Sequence, residues 1–177
     1  MVVLEIADVK DFMGKLLLQE VFDNFLVEEA EIKKYATFRV DGFRNRSWDA
    51  EEQSQTSGQE EGREDEDPLA DRYVTWKELR PTIKTLIQDK KAPSSFHMTM
   101  MLNRENRKKI LSSAGNPVPE EQLGGLLVNL RYEGGTALLI TGTAMKGFSL
   151  DRTLEQTWDR DLQVFLKHYG IACEVKS

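Results

Sequence analysis

Cysteine and histidine are scarce in this chain of 177 residues, which has one cysteine, Cys173, and two histidines, His97 and His168. A single cysteine cannot form an intramolecular disulfide, and a thiolate zinc site requires several cysteines at defined spacings. Two histidines argue equally against a histidine-rich metal site or a histidine relay. The sequence therefore predicts no metal-ligating residue and no cofactor.

Long apolar runs are also missing. The longest cover only a handful of residues, whereas a membrane-spanning helix needs about 20. Near the N-terminus, Glu5 and Asp8 interrupt the region where a signal peptide needs continuous apolar residues after a basic start. We therefore expect a soluble cytoplasmic protein.

Recognisable catalytic motifs are absent from the sequence as well. Residues 142–147 (GTAMKG) carry two glycines, but a Walker loop needs Lys and Ser/Thr directly after the second glycine, where Phe148 and Ser149 stand. The G-x-S-x-G, H-E-x-x-H and Rossmann glycine patterns do not occur. The sequence thus identifies no catalytic and no cofactor-binding residue.

Negative charge is concentrated in one segment. Residues 49–67 contain nine acids and one base and carry −8 in a chain of net charge −6, which leaves +2 for the rest. Residues 53–59 (QSQTSGQ) lack the large apolar side chains that packing requires. We interpret residues 44–72 as an acidic, flexible loop within a single domain spanning residues 1–177. It is either a solvated spacer or a segment that attracts a basic partner or screens a basic surface as a nucleic-acid mimic.

The first part of the chain alternates strand and helix patterns. Residues 2–6 are typical of a strand, and Asp8 is placed to cap a helix over residues 9–18. Residues 25–41 alternate apolar and polar side chains, which predicts a hairpin that folds back near residues 31–35.

The three tryptophans have different sequence contexts. Thr75–Glu78 (TWKE) matches a capping box, and Pro81 beyond the first turn predicts a kink or a second helix start. Trp76 and Trp158 lie at helical core spacing and are predicted core anchors. Trp48 either pins a loop or is an exposed contact for a partner.

The second part predicts a similar alternation. In order, we expect a strand at 96–102, a helix at 104–113 capped by Asn103, a hairpin of residues 126–132 and 136–142 around a Glu-Gly-Gly turn, a further strand at 144–150, a helix from Asp151 or Thr153 to Gly170, and a final strand at 171–175.

The order strand–helix–hairpin therefore occurs twice, in residues 2–42 and again in residues 96–143. This predicts an α+β fold in which helices pack on an antiparallel sheet and which contains a βαβββ unit. Duplication of that unit is one interpretation of the pattern. Coincidence between two amphipathic hairpins is the other.

Two stretches of the second copy, residues 96–111 and 127–143, resemble a half-domain of the sliding-clamp (processivity factor) fold. The resemblance covers about a third of the chain and implies a DNA-clamp-like shape rather than an activity. A clamp subunit repeats its domain to build a ring, and this chain is too short to do so.

The whole chain also resembles a small family of uncharacterised clostridia-type bacterial proteins, a domain of unknown function. Residues 6–13 (IADVKDFM), 76–81 (WKELRP) and 150–159 (LDRTLEQTWD) carry this resemblance. It implies no established activity and no site residues.

Basic residues cluster on the helix predicted at 104–113. Arg104, Arg107 and Lys108 share one helix face, with Lys109 nearby. In a clamp-like fold such residues would contact backbone phosphates without reading bases. They are the candidate contacts for nucleic-acid backbone or a protein partner, and an ordinary solvated helix face is the alternative.

Two classes of function remain open. The sequence favours a non-catalytic binding or assembly protein with clamp-like architecture that engages protein or nucleic-acid backbone. The alternative is an enzyme acting on a small substrate through a carboxylate or lysine site that no motif reveals.

Overall fold

The structure is a computed structural model that describes residues 1–48 and 72–176. In chain order the elements are β1 (Val3–Ile6), α1 (Val9–Leu18), β2 (Leu26–Lys33), β3 (Thr37–Asp41), α2 (Trp76–Ile87), β4 (Ser95–Met101), α3 (Arg104–Ser113), a 3₁₀ turn (Glu120–Gln122), β5 (Leu123–Glu133), β6 (Thr136–Met145), α4 (Thr153–His168) and β7 (Cys173–Lys176).

The strands form one sheet of seven in the order β3-β2-β4-β5-β6-β1-β7. Every neighbouring pair is antiparallel. Helices combined with an antiparallel sheet confirm the predicted α+β class. The β5–β6 hairpin lies at the centre, and its turn depends on Gly134 and Gly135, whose positive φ values of 57° and 82° suit glycine.

Helices α1–α4 bury the inner face of this sheet. Across neighbouring strands, Ala30, Met98, Leu130 and Leu139 align in one row of that face, and all are buried. The buried helix residues that join the same core are Phe12, Leu16, Leu17, Trp76, Ile83, Ile87, Leu111, Leu154, Trp158, Leu162 and Leu166. A single core therefore holds the helices against the sheet.

Three helix starts follow the predicted caps. Asp8 accepts a hydrogen bond from the Asp11 amide, and Asn103 accepts one from the Asn106 amide. At α2, Thr75 and Glu78 form the full capping box. These side chains satisfy amides that lack a partner within the helix.

Both predicted tryptophan anchors are confirmed. The Trp76 indole N–H donates to the Leu16 carbonyl at 2.9 Å, and the Trp158 N–H donates to the Leu127 carbonyl at 3.0 Å. Each ring is buried with its polar group satisfied. Trp48, by contrast, is 65% exposed.

A second helix start at Pro81 and a separate strand over residues 144–150 were expected, and both are wrong. Helix α2 runs through Pro81 as one element, because its apolar stripe packs into the core on both sides of the proline. The other alternative, a kink at Pro81, stays a prediction. No strand forms at residues 146–150, since β6 ends at Met145 and Phe148 and Leu150 point to solvent.

The two strand–helix–hairpin copies have different neighbours in the sheet. Strand β4 lies between β2 and β5, whereas β1 lies between β6 and β7. Because the two copies do not occupy equivalent positions in the sheet, the sheet order does not confirm the clamp-like duplication, which stays a prediction.

The acidic residues 49–67, like most of the loop expected at 44–72, lie outside the described residues. In the part of the chain that is described, none of the helices combines the length and the apolar character needed to cross a membrane.

Candidate functional site

The outer face of the sheet is the face opposite α1–α4. One row of this face contains Glu29, Thr99, Asn129, Ile140 and Val3 on neighbouring strands. All five are half-buried or exposed, and Thr99 donates to the Asn129 side chain at 2.9 Å. On this face β2 and β4 carry Glu29, Glu31, His97 and Thr99, whereas β6 and β1 carry Leu138, Ile140 and Val3.

A β-bulge in β2 shapes one end of the outer face. The register with β4 shifts between Val27 and Glu29, so Glu28 is an extra residue. Gly42, directly after β3, donates to the Glu28 carbonyl and accepts from the Val74 amide, both at 2.9 Å. The bulge therefore lies against residues 42–44 and 72–75.

Beside this bulge lies a cavity of about 470 Å³, which we call the basic pocket. Its basic side chains are Arg72, Arg104, Arg107 and Lys146. Its apolar lining is Met101, Leu123, Leu127 and Ala144, and its acids are Glu28, Glu120 and Glu121. The pocket thus combines an apolar lining with charges of both signs.

Arg104 and Arg107 reach this pocket because α3 begins at its edge. The Asn103 cap starts the helix, and side chains three positions apart share one side of it. Arg107 is only 5% exposed, and its Nη1 donates to the Leu102 carbonyl at 3.1 Å. Arg104 Nε donates to Glu120 at 2.9 Å.

The other two predicted contacts lie elsewhere on α3. Lys108 borders a separate depression and lies 3.8 Å from Glu120, and Lys109 pairs with Glu105 at 2.7 Å. The structure therefore brings Arg104 and Arg107 together in one cavity, while Lys108 and Lys109 are outside it.

A second cavity of about 600 Å³, which we call the acidic groove, adjoins the basic pocket. Its carboxylates are Glu28, Glu29, Glu31 and Asp41. Phe43 and Tyr73 also line it, with their rings edge to face at 5.9 Å. The two cavities share Glu28 and Tyr73.

Carboxylates of the acidic groove have different electrostatic environments. A hydrogen bond from Arg39, at 2.8 Å, lowers the pKa of Glu31. Burial, and then repulsion from Glu29, raises the pKa of Glu28. Burial thus disfavours the charged form of Glu28, which lies at the junction of the two cavities.

The histidines and the cysteine stand apart from the basic pocket. His97 lies on the outer face and lines the acidic groove, where its Nε2 is buried and has no hydrogen-bond partner among the described residues. His168 is exposed and packs against the Tyr169 ring. Burial raises the pKa of the half-buried Cys173 thiol.

Sequence reasoning missed Glu28, Arg72, Tyr73 and Lys146. Lys146 drew attention only in a rejected phosphate-loop pattern, and nothing in the sequence marked the bulge at Glu28. These residues join Arg104 only through tertiary structure. Across residues 1–48 and 72–176, no cluster of three or more His, Cys, Asp or Glu side chains is arranged to hold a metal ion.

The model of a family of unknown function, DUF5721, matches residues 15–174. The chain belongs to this family. The DUF5721 match includes two of the stretches that carried the resemblance, residues 76–81 and 150–159, and all residues of both cavities. Among curated proteins and solved structures, no match was found.

Proposed function

We propose that this protein is a non-catalytic binding protein that holds an acidic segment of a partner protein in the basic pocket. The observation that carries this proposal is that Arg104 and Arg107 line one cavity together with Arg72 and Lys146. Guanidinium groups pair with carboxylates through directed, charge-assisted hydrogen bonds. An acidic side chain entering the cavity would meet the exposed Arg72 and Lys146 in the electrostatic field of Arg104 and Arg107.

The mixed character of the pocket favours a peptide over nucleic-acid backbone. A peptide offers amide donors to Glu28, Glu120 and Glu121, as well as carboxylates to the arginines. A phosphate backbone offers acceptors and would be repelled by the same acids. The apolar lining, which includes Met101 and Leu127, suits an apolar side chain next to the acidic one.

The sequence composition supports the cytoplasm as the place of action, because a single cysteine needs no oxidising compartment. Binding in the pocket requires one chain only. A clamp-like ring is therefore not needed for this function.

Fluorescence anisotropy with two labelled probes tests the proposal. One probe is a peptide of glutamates and leucines, and the other is a single-stranded oligonucleotide of the same formal charge. We expect the peptide to bind more tightly than the oligonucleotide. Replacing the two exposed bases, Arg72→Gln with Lys146→Gln, should weaken peptide binding about tenfold or more, because each charge-assisted contact contributes about 1.5–3 kcal/mol.

A matched control is available in Lys90→Gln with Lys91→Gln. Both lysines are exposed, precede β4, and lie outside both cavities. This control variant loses the same positive charge as the Arg72→Gln, Lys146→Gln variant. A purely non-specific attraction of the peptide to the protein would therefore weaken equally in both double variants. That result would contradict the proposed pocket, and tighter binding of the oligonucleotide would favour nucleic-acid backbone as the partner.

A further inference from the structure

The basic pocket and the acidic groove are neighbours of opposite charge on the outer face. The groove has four carboxylates and one arginine, Arg39, which pairs with Glu31 at 2.8 Å. The pocket has four bases and three acids, and Glu28 is one of those three. A ligand that extends from one cavity into the other passes over Glu28 and Tyr73 and meets a reversal of charge.

We infer, on the basis of the proposed function, that the partner segment is bipolar: its acidic part binds in the basic pocket and an adjoining Lys or Arg binds in the acidic groove. This assigns the groove as a site for an ammonium or guanidinium group.

The groove has the chemistry that such a cation requires. Among the described residues, Glu28 and Glu29 make no ion pair, while Asp41 accepts a hydrogen bond from the Phe43 amide at 2.9 Å. Phe43 and Tyr73 add two aromatic rings beside these carboxylates. Carboxylates with aromatic rings attract a cation through charge and through the ring quadrupole.

The register of β4 sets the length of the ligand. Thr99 lines the groove and Met101 lines the pocket, two positions apart on the same face of one strand. At about 3.4 Å per residue, Thr99 in the groove and Met101 in the pocket are about 7 Å apart along the strand. An extended segment spans this distance in about two residues, so its acidic and basic parts can lie close together in the sequence.

Three peptides with matched lengths test this inference in the full chain. The first has a glutamate block followed, after a short spacer, by a lysine block. The second has the same composition with the two residue types alternating, and the third is acidic throughout. We expect the block peptide to bind about tenfold more tightly than the alternating peptide at low salt, because only the block peptide matches both cavities at once.

The variant Glu29→Lys separates this inference from the proposed function. Glu29 is exposed on β2, so the substitution alters charge without creating a cavity. It should weaken the block peptide about tenfold and should strengthen the all-acidic peptide, since a repelling carboxylate is removed. The matched control is Glu174→Lys, because Glu174 is exposed on β7 at the far edge of the sheet. This control should not weaken the block peptide while strengthening the all-acidic peptide.

Two results would overturn the inference. One is equal affinity for the block and alternating peptides. The other is a Glu29→Lys variant in which the affinities for the block peptide and the all-acidic peptide change in the same direction. If the all-acidic peptide still responds to Arg72→Gln with Lys146→Gln, the proposed function survives that result. If it does not respond, the proposed function itself fails.

Discussion

Gly42 lies directly against the Val27 carbonyl, so closely that a Cβ on Gly42 would stand 1.9 Å from that oxygen. Because the obstacle is backbone, it cannot rotate away. Gly42→Ala should therefore displace residues 42–44 from the β2 bulge and lower the free energy of unfolding by about 1–3 kcal/mol or more, as measured by urea denaturation.

The control for this substitution is Gly14→Ala. Gly14 is inside α1, and apart from its chain neighbours and the backbone of the adjacent helical turns no atom lies within 4 Å of the added Cβ. Alanine there should stabilise the protein by about 0.5–1 kcal/mol, because it restricts the unfolded chain and favours helix. If both variants changed stability in the same direction, the close approach at Gly42 would not be the cause.

The α2 capping box predicts a stability cost at Thr75. Thr75 Oγ1 accepts from the Glu78 amide at 3.3 Å, and Glu78 accepts from the Thr75 amide at 2.8 Å. Thr75→Ala should cost about 1 kcal/mol of unfolding free energy. An unchanged melting temperature would contradict this assignment.

Glu78 adds a pH dependence at the same helix start. Burial raises its pKa, but hydrogen bonds from Arg44 and Thr75 outweigh this effect, and the net pKa is lowered from 4.5. A lowered folded pKa gives stability that is present above the unfolded value of 4.5 and lost as the pH falls through the folded value. On acidification below pH 4.5, wild type should therefore lose more stability than Glu78→Gln, whereas equal losses would show that another carboxyl is responsible.

The tryptophans provide a matched pair of truncations. Trp158 is 3% exposed and hydrogen-bonded to Leu127, so Trp158→Ala should cost about 3–5 kcal/mol. Trp48 is 65% exposed, so Trp48→Ala should change stability by less than about 0.5 kcal/mol. A Trp158→Ala protein of near-wild-type stability would mean that α4 is peripheral.

Much of the local structure was predictable because its signals lie within a few residues. The caps at Asp8, Thr75 and Asn103, and the turn at residues 133–135, all act on their immediate neighbours. Strand order was not predictable in the same way, since β1 pairs with β6 far along the chain. The basic pocket belongs to this second class, because Arg72 and Lys146 meet Arg104 only after the sheet has formed.

The acidic segment allows a test of electrostatic screening. Replacing residues 49–67 with a short Gly/Ser linker removes a charge of −8 and leaves +2. We expect the protein to remain folded, because loop length changes closure entropy only slowly. Without this negative charge it should bind the acidic peptide and heparin more tightly at low salt.

Salt and substitution check the origin of that gain. The gain should fade as the Debye length falls from about 30 Å at 0.01 M salt to about 10 Å at 0.1 M. Combining the linker with Arg104→Gln, Arg107→Gln and Lys108→Gln should abolish it. Unfolding of the shortened chain would contradict the spacer interpretation, and a folded chain with no gain in binding would contradict screening.

The most direct test of the central claim is to map the bound acidic peptide on the full chain by NMR. As the peptide is added, backbone amide shifts should move at Glu28, Tyr73, Met101, Leu127 and Lys146, which border the basic pocket. The amide shifts of exposed residues on α4, such as Val164 and Lys167, should not change. Shifts that concentrate on α4, or that spread evenly over the surface, would show that the basic pocket is not the binding site.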